Sequence, residues 1–293
     1  MIAIVIPYFK AKYFEATLLS LSNQTDKRFK VYIGDDASPE NPKNTLSKYQ
    51  DIIDFEYHVF SENLGSISLT KQWERCINFA DEEWIMILGD DDVLSENVIE
   101  EFYKNLDNLD GLKVIRYASC KIDENGQVMS NVFEHPVKES SIDFLFRHRR
   151  NSLSEYIFKR EQITNIGFKN FHLAWCSDIL AVLEFSDFGL VYSINNATVF
   201  IRITSESISG NLENIKRKNL ASEQFSYYII NQKLSFFNKL QCLKILYGYE
   251  VAIKRNRKLE MKDWLLLFKL YAKNFQLVPA IKFLRRFVIY LVN

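Results

Sequence analysis

Residues 84–92 read Trp84-Ile85-Met86-Ile87-Leu88-Gly89-Asp90-Asp91-Asp92. The apolar run Trp84–Leu88 is short and lacks polar alternation, which predicts a strand covered on both faces, as in a parallel sheet. Three carboxylates follow at once. Their mutual repulsion opposes compaction unless a counter-charge sits among them. Hard oxygen donors suit a divalent cation such as Mg²⁺ or Mn²⁺. A cation held by one or two protein carboxylates completes its shell with water and substrate phosphates. The alternative is a solvated acidic loop leading into a helix, with Ser95 as its N-cap.

On both sides of this stretch, strand and helix patterns alternate. Ile2–Pro7, Phe29–Gly34 and Ile53–Phe60 read as strands. Helical spacing marks Phe14–Gln24 (Phe14, Leu18, Leu21), Asn44–Tyr49, Ser66–Phe79 (Ile67, Trp73, Ile77) and Ser95–Leu109 (Val98, Phe102, Leu106). Such alternation predicts a doubly wound α/β sheet, mostly parallel and Rossmann-like, with flanking helices. After Gly111 the rhythm changes. Val114–Ile122 and Gln127–Val132 flank Asp123-Glu124-Asn125-Gly126, and Asn-Gly between apolar runs signals a hairpin. Segment 133–210 is mixed and rich in loops, and from Asn211 onward the pattern is helical.

At 293 residues the length suggests about two domains. The expected division is a 1–210 domain, with 1–110 a nucleotide-binding half and 111–210 an acceptor half, followed by a helical 211–293 region. An apolar fraction of 47% and an aromatic fraction of 14% exclude a mostly disordered chain. Only nine Gly and five Pro disfavour a many-turned all-β protein and glycine-rich phosphate loops. Cys76, Cys120, Cys176 and Cys242 lack metal-ligand spacing and read as reduced thiols. Without a basic leader, a cleavage site or a long apolar span, the expectation is a cytoplasmic protein with no transmembrane helix.

Net charge is zero, yet residues 252–293 carry ten Lys and Arg against two Asp and Glu. That +8 balance leaves the remainder of the neutral chain at −8. Lys269, Lys273, Lys282, Arg285 and Arg286 interleave with Trp264–Phe268, Phe283, Phe287 and Tyr290. A basic amphipathic segment suits an anionic membrane surface, here the inner face of the cell membrane, or else packs as a helical subdomain. Because the remainder is acidic, no nucleic-acid partner is expected.

In open parallel sheets, ligands sit beyond the carboxyl ends of the strands. Four such ends are legible: Pro7-Tyr8-Phe9, Asp35-Asp36, Glu62-Asn63-Leu64-Gly65 and Asp90-Asp91-Asp92. A nucleoside diphosphate would use all four. Phe9 offers a stacking face beside Pro7. Asp36 can accept from a base N–H such as uracil N3–H. Gly65 admits close backbone approach, and Asp91 with its neighbours can hold a cation against the diphosphate.

With Ile4-Val5-Ile6-Pro7 and Phe9, Asp35-Asp36-Ala37-Ser38, Asn63-Leu64-Gly65 and Leu88-Gly89-Asp90-Asp91-Asp92 in this order and spacing, the chain resembles the inverting family-two glycosyltransferases of GT-A fold. The resemblance implies that Asp90 lies near the donor ribose, that Asp91 is the principal metal ligand and that Asp92 is a second one. The family usually has an acid where this chain has Gly89. Trp175-Cys176-Ser177-Asp178 resembles the segment that carries the general base, which implies that role for Asp178, with Glu184 and Asp187 as alternatives. Arg202, with Ser207 and Ser209, resembles a later loop near the diphosphate. Thr204 stands where many members have a histidine. His172 is a further candidate acceptor contact, while Lys71 and Arg75 read as solvated helix charges.

The implied activity is metal-dependent, inverting hexosyl transfer from a nucleotide-diphosphate sugar, most simply a UDP-hexose. The acceptor would be a saccharide or a polyprenyl-linked saccharide in surface-polysaccharide synthesis. Two other readings remain open. A sugar-phosphate nucleotidyltransferase would show a glycine-rich loop after the first strand, where Pro7-Tyr8-Phe9-Lys10 stands. A non-catalytic nucleotide-sugar or carbohydrate-binding protein would bind UDP without turnover.

Overall fold

The computed structural model describes residues 1–109, 111–147 and 151–292. They form two compact units. One comprises Met1–Asn170 and Ser177–Leu212, and the other Phe171–Cys176 and Glu213–Asn293.

The first unit is built on a mixed sheet. Strands β1 (Ile2–Tyr8), β2 (Phe29–Asp35), β3 (Phe55–Val59) and β4 (Trp84–Ile87) are joined by helices α1 (Phe14–Ser22), α2 (Lys43–Leu46) and α3 (Leu69–Ile77). Then follow β5 (Val93–Leu94), α4 (Val98–Lys104), β6 (Val114–Ile122), β7 (Lys138–Ser140), α5 (Ser141–Phe146), β8 (Tyr156–Lys159), α6 (Arg160–Ile166), α7 (Ser177–Phe185) and β9 (Leu190–Arg202). The order is β3-β2-β1-β4-β8-β6-β9-β5, with β7 paired to β9. The four N-terminal strands run parallel, and β8 is antiparallel to both of its neighbours. This is the GT-A-like α/β arrangement expected of the sequence.

Alternate strand residues face opposite layers, as a two-residue period demands. Ile2, Ile4, Ile6, Trp84 and Met86 pack with Phe14 and Leu18 of α1 and Val98 and Phe102 of α4. Ala3, Val5, Ile85 and Ile87 pack on the other side with Cys76 of α3, Phe144 of α5 and Val182 and Phe185 of α7. Each Ile, Val, Leu, Met or Phe among them contributes about 1.5–3 kcal/mol on burial. Every residue of β4 is buried, which is why its sequence shows no polar alternation.

Several local expectations are corrected. Ile67 is 80% exposed because α3 begins only after the Ser68 cap, whose side chain accepts from the Lys71 N–H. Leu106 is 38% exposed because α4 ends at Lys104 and gives way to a 3₁₀ turn. Ser95 does not cap α4. Asn97 holds that position, and the Ser95 hydroxyl instead bonds the Asn97 side chain and accepts from the Thr198 N–H of β9. The Asp123–Gly126 turn is present, with Gly126 at a positive φ of 79°, but its return limb meets β6 only at isolated bridges.

The second unit is helical: α8 (Ile215–Tyr228), α9 (Lys239–Asn256), α10 (Met261–Lys273) and α11 (Leu277–Val292). Capping boxes start α9 (Asn238 with Gln241) and α10 (Glu260 with Asp263). Leu246, Ile253, Trp264, Leu267, Tyr271 and Phe283 form its core, with Phe287 and Tyr290 packed against it. Of the aromatics that the sequence offered to a membrane or to a packed subdomain, Trp264 and Phe283 are buried, Phe287 and Tyr290 are half-buried, and Phe268 is exposed. Among the described residues no disulfide forms. Among the described residues, no helix is long and apolar enough to cross a membrane.

Candidate active site

The register of the parallel strands gathers the expected site. Tyr8 pairs with Asp35, and Val5 with Ile87, so β1 ends between β2 and β4. Phe9, Asp36 and the Asp90–Asp92 triplet therefore leave adjacent strands at one edge.

The three acids of the triplet do different things. Asp90 accepts the backbone N–H groups of Phe9 and Lys10 on one oxygen, each at 2.8 Å, and so clamps the loop after β1. Burial and the Asp91 charge push its carboxyl up to about 7. Asp92 is buried and accepts from the Arg202 N–H at 2.9 Å and the Ser154 hydroxyl at 2.5 Å. Its carboxylate anchors the triplet to β9 and to the 3₁₀ turn Leu153–Glu155. Asp91 lines a crevice together with Asp90, Lys10, Tyr13, Thr204, Glu206 and Ser207. No donor from another described residue bonds its carboxylate. Burial first and the Asp92 charge second raise its pKa, while Arg202 opposes the rise.

Gly89 has a spatial reason. A Cβ there would lie 3.0 Å from the Asp91 carboxylate and 3.1 Å from that of Asp92. An acid in this position would crowd the triplet as it is arranged here.

Arg202 acts on the backbone. Its Nε donates to the Asp91 carbonyl at 2.9 Å, and its Nη1 to the carbonyls of Asp123 (2.7 Å) and Glu124 (3.3 Å). The guanidinium lies 4.5 Å from the centre of the Tyr13 ring. The residue expected near the diphosphate thus joins the triplet, the β6 turn and the end of β9. Beyond it, Thr204, Ser207 and Gly210 close a compact loop. Lys10 Nζ donates to the Glu206 carbonyl at 3.3 Å, so the loops after β1 and β9 meet beside Asp91.

At the end of β2, Asp36 accepts from the Leu64 N–H (2.7 Å), the Gly65 N–H (2.8 Å) and Arg75. A Cβ on Gly65 would sit 2.5 Å from an Asp36 oxygen, so the glycine admits this carboxylate. Arg75, read as a solvated charge, instead stacks on Phe60 at 3.7 Å and donates to the Glu62 carbonyl. Phe9 is half-buried, with its carbonyl accepting the Ser38 hydroxyl at 2.6 Å, and Pro7 sits opposite Gly34. Lys71 is exposed.

Asp178 lies in the first turn of α7, half-buried. One oxygen accepts the Ile179 N–H at 2.8 Å and the other accepts from Asn151 Nδ2. The Tyr156 hydroxyl donates to Asn151 Oδ1 at 2.5 Å. Ser154, three residues after Asn151, also accepts the Gly89 N–H at 3.1 Å. One short segment, 151–156, therefore touches both Asp178 and the triplet. Asn151, Ser154 and Tyr156 were missed in the sequence because they form no motif. Glu184 is buried within α7, and Asp187 pairs with Lys113 beyond the helix end, so neither shares the place of Asp178. His172 belongs to the second unit and is exposed.

The residues fit a divalent cation of the Mg²⁺ or Mn²⁺ kind. Asp91 supplies a hard oxygen donor in a crevice, within a cluster whose carboxyl pKa values are raised by burial and repulsion. No group of three or more His, Cys, Asp or Glu side chains among the described residues forms a ready-made cage. The site suits an ion that takes its other ligands from water and substrate.

Solved structures similar to the chain include S. aureus TarS 1-349 in complex with UDP-GlcNAc, at 13% identity and a TM-score of 0.67, covering 93% of this chain and 80% of that one. TarS 1-349 in complex with UDP follows at 16% identity and 0.56, covering 93% and 87%. At these identities the likeness speaks for the fold. A search of curated proteins finds no match. The family model described as glycosyl transferase family 2 matches residues 3–177, a span holding β1–β4, the acid triplet and the Asn151–Tyr156 segment. The chain belongs to glycosyl transferase family 2.

Proposed function

We propose that this glycosyltransferase moves a hexose from a UDP-sugar to a hydroxyl of a saccharide, free or polyprenyl-linked, with inversion at the anomeric carbon. The observation that carries the reading is the contrast within the triplet. The carboxylates of Asp90 and Asp92 are bonded to other residues, while that of Asp91, in the crevice between the loops after β1 and β9, accepts from no other described residue. The TarS structures with UDP-GlcNAc and UDP support a uridine donor for a chain of this fold.

In this reading Phe9 stacks on the uracil ring beside Pro7. Asp36 accepts uracil N3–H through lone-pair capacity left on the oxygen that bonds Gly65. The clamp from Asp90 fixes the loop that meets the ribose. Asp91 would hold a Mn²⁺ or Mg²⁺ ion, with Asp92 and Arg202 fixing the Asp91 backbone. Such an ion, when bound, supplies positive charge to the departing diphosphate. Asp178 accepts the proton of the acceptor hydroxyl as that oxygen bonds to the anomeric carbon and the bond to the UDP oxygen breaks. Asn151 holds the carboxylate for this task. One displacement inverts the centre, and no covalent enzyme intermediate forms.

Nucleotide-sugar turnover with the Asp178→Asn variant tests this. Transfer should fall by at least about 10²-fold while UDP affinity holds, the usual scale for a positioned general base. The product should carry the anomeric configuration opposite to the donor's. Retention of configuration, or a fully active variant, removes Asp178 from the chemistry.

A further inference from the structure

The second unit leaves an apolar surface uncovered. On α11, Leu277, Ile281, Leu284 and Val288 recur at helical spacing, and each is 44–64% exposed. On α10, Leu265 and Phe268 are likewise exposed, at 63% and 54%. The inner sides of the same helices are spoken for. Trp264, Leu267 and Phe283 fill the core, and Tyr271 stacks on Phe283 at 4.6 Å. Soluble surfaces scatter single apolar residues, whereas a contiguous stripe marks a binding face.

Charge identifies the occupant. Lys269 and Lys273 on α10, and Lys282 and Arg285 on α11, are exposed on the same helices. The only acid between residues 261 and 292 is Asp263, which is buried and paired with Arg257. We propose that the exposed faces of α10 and α11 dock on an anionic lipid bilayer, apolar side chains entering the acyl boundary and basic ones meeting the headgroups. A second copy is the poorer fit, because a two-fold interface would set this acid-free basic patch against itself. The inference stands apart from the donor and acceptor chemistry above.

Arg286 is not part of that surface. Its Nε and Nη2 each donate at 2.7 Å to Glu250, which is fully buried. The test therefore leaves Arg286 alone. The full chain is floated with phosphatidylcholine vesicles and with vesicles that also contain phosphatidylglycerol, at low and raised salt. Two variants go alongside: Ile281→Ser with Leu284→Ser and Val288→Ser, and Lys282→Glu with Arg285→Glu. The chain should float with the anionic vesicles, remain behind with the neutral ones and release as salt rises. Each variant should lower the bound fraction at least about tenfold, with unchanged melting and UDP affinity. No flotation with anionic lipid, or equal binding by wild type and both variants, overturns the proposal. So does a concentration-dependent dimer in sedimentation that the apolar variant abolishes, because a second copy then covers the stripe.

Discussion

The crevice at the end of β4 and the outer side of α10 and α11 break the same rule in opposite directions. Proteins bury apolar groups and leave charge in water, so a buried charge or an exposed apolar stripe is the informative exception. At the triplet, three carboxylates gather with raised pKa values, two of them bonded to the protein and Asp91 facing the crevice. On the helices, Ile281, Leu284 and Val288 face outward although the core beside them is well filled. As proposed above, the first exception would take a cation and a diphosphate. The second, on the proposal above, would take a surface that is itself apolar within and anionic at its edge. The two exceptions call for different kinds of partner.

The comparison is sharpest at two neighbouring arginines. Arg286→Ala should strip the buried Glu250 of its bidentate partner and destabilise the chain by about 2–3 kcal/mol in thermal or denaturant unfolding. That is less than the loss of a fully buried pair, about 3–5 kcal/mol, because Arg286 is 25% exposed and Lys254 also reaches Glu250. Arg285→Ala should stay within about 0.5 kcal/mol of wild type while weakening vesicle binding. Equal stability losses would show that the outer face is packed rather than free.

A smaller effect is expected at the polar site. Asn151→Ala removes one donor from Asp178, worth about 0.5–1.5 kcal/mol, so turnover should fall up to about tenfold with UDP affinity intact. Steady-state kinetics with saturating donor read this directly. A variant that loses UDP binding instead would mean that segment 151–156 serves the triplet through Ser154 and not the base.

Much of this was legible. The apolar run Trp84–Leu88 signalled a strand buried on both faces, because neither face needs polar residues. The strand-end acids could be placed on one edge because parallel strands share a direction. What escaped were bonds without a sequence period. Arg75 looked like any solvated helix charge, and only the fold brings Asp36 to it. Arg202, expected beside a diphosphate, also bonds the carbonyls of Asp91, Asp123 and Glu124, which no motif announces. In the tail, membrane docking and packing as a subdomain stayed open for a related reason. Trp264, Phe283 and Phe287 and the exposed Ile281 and Leu284 have the same composition, and only packing separates the inner side of a helix from the outer.

The central claim is that Asp91 makes the β4 end a cation-dependent site for a uridine diphosphate. Calorimetric titration of UDP into the wild type with Mn²⁺, into the wild type with excess EDTA, and into Asp91→Asn with Mn²⁺ tests it in one series. The account predicts binding in the first case and affinity at least about tenfold weaker in the other two, since a bound divalent ion is the largest local charge a diphosphate meets. Equal UDP affinity in all three would contradict it.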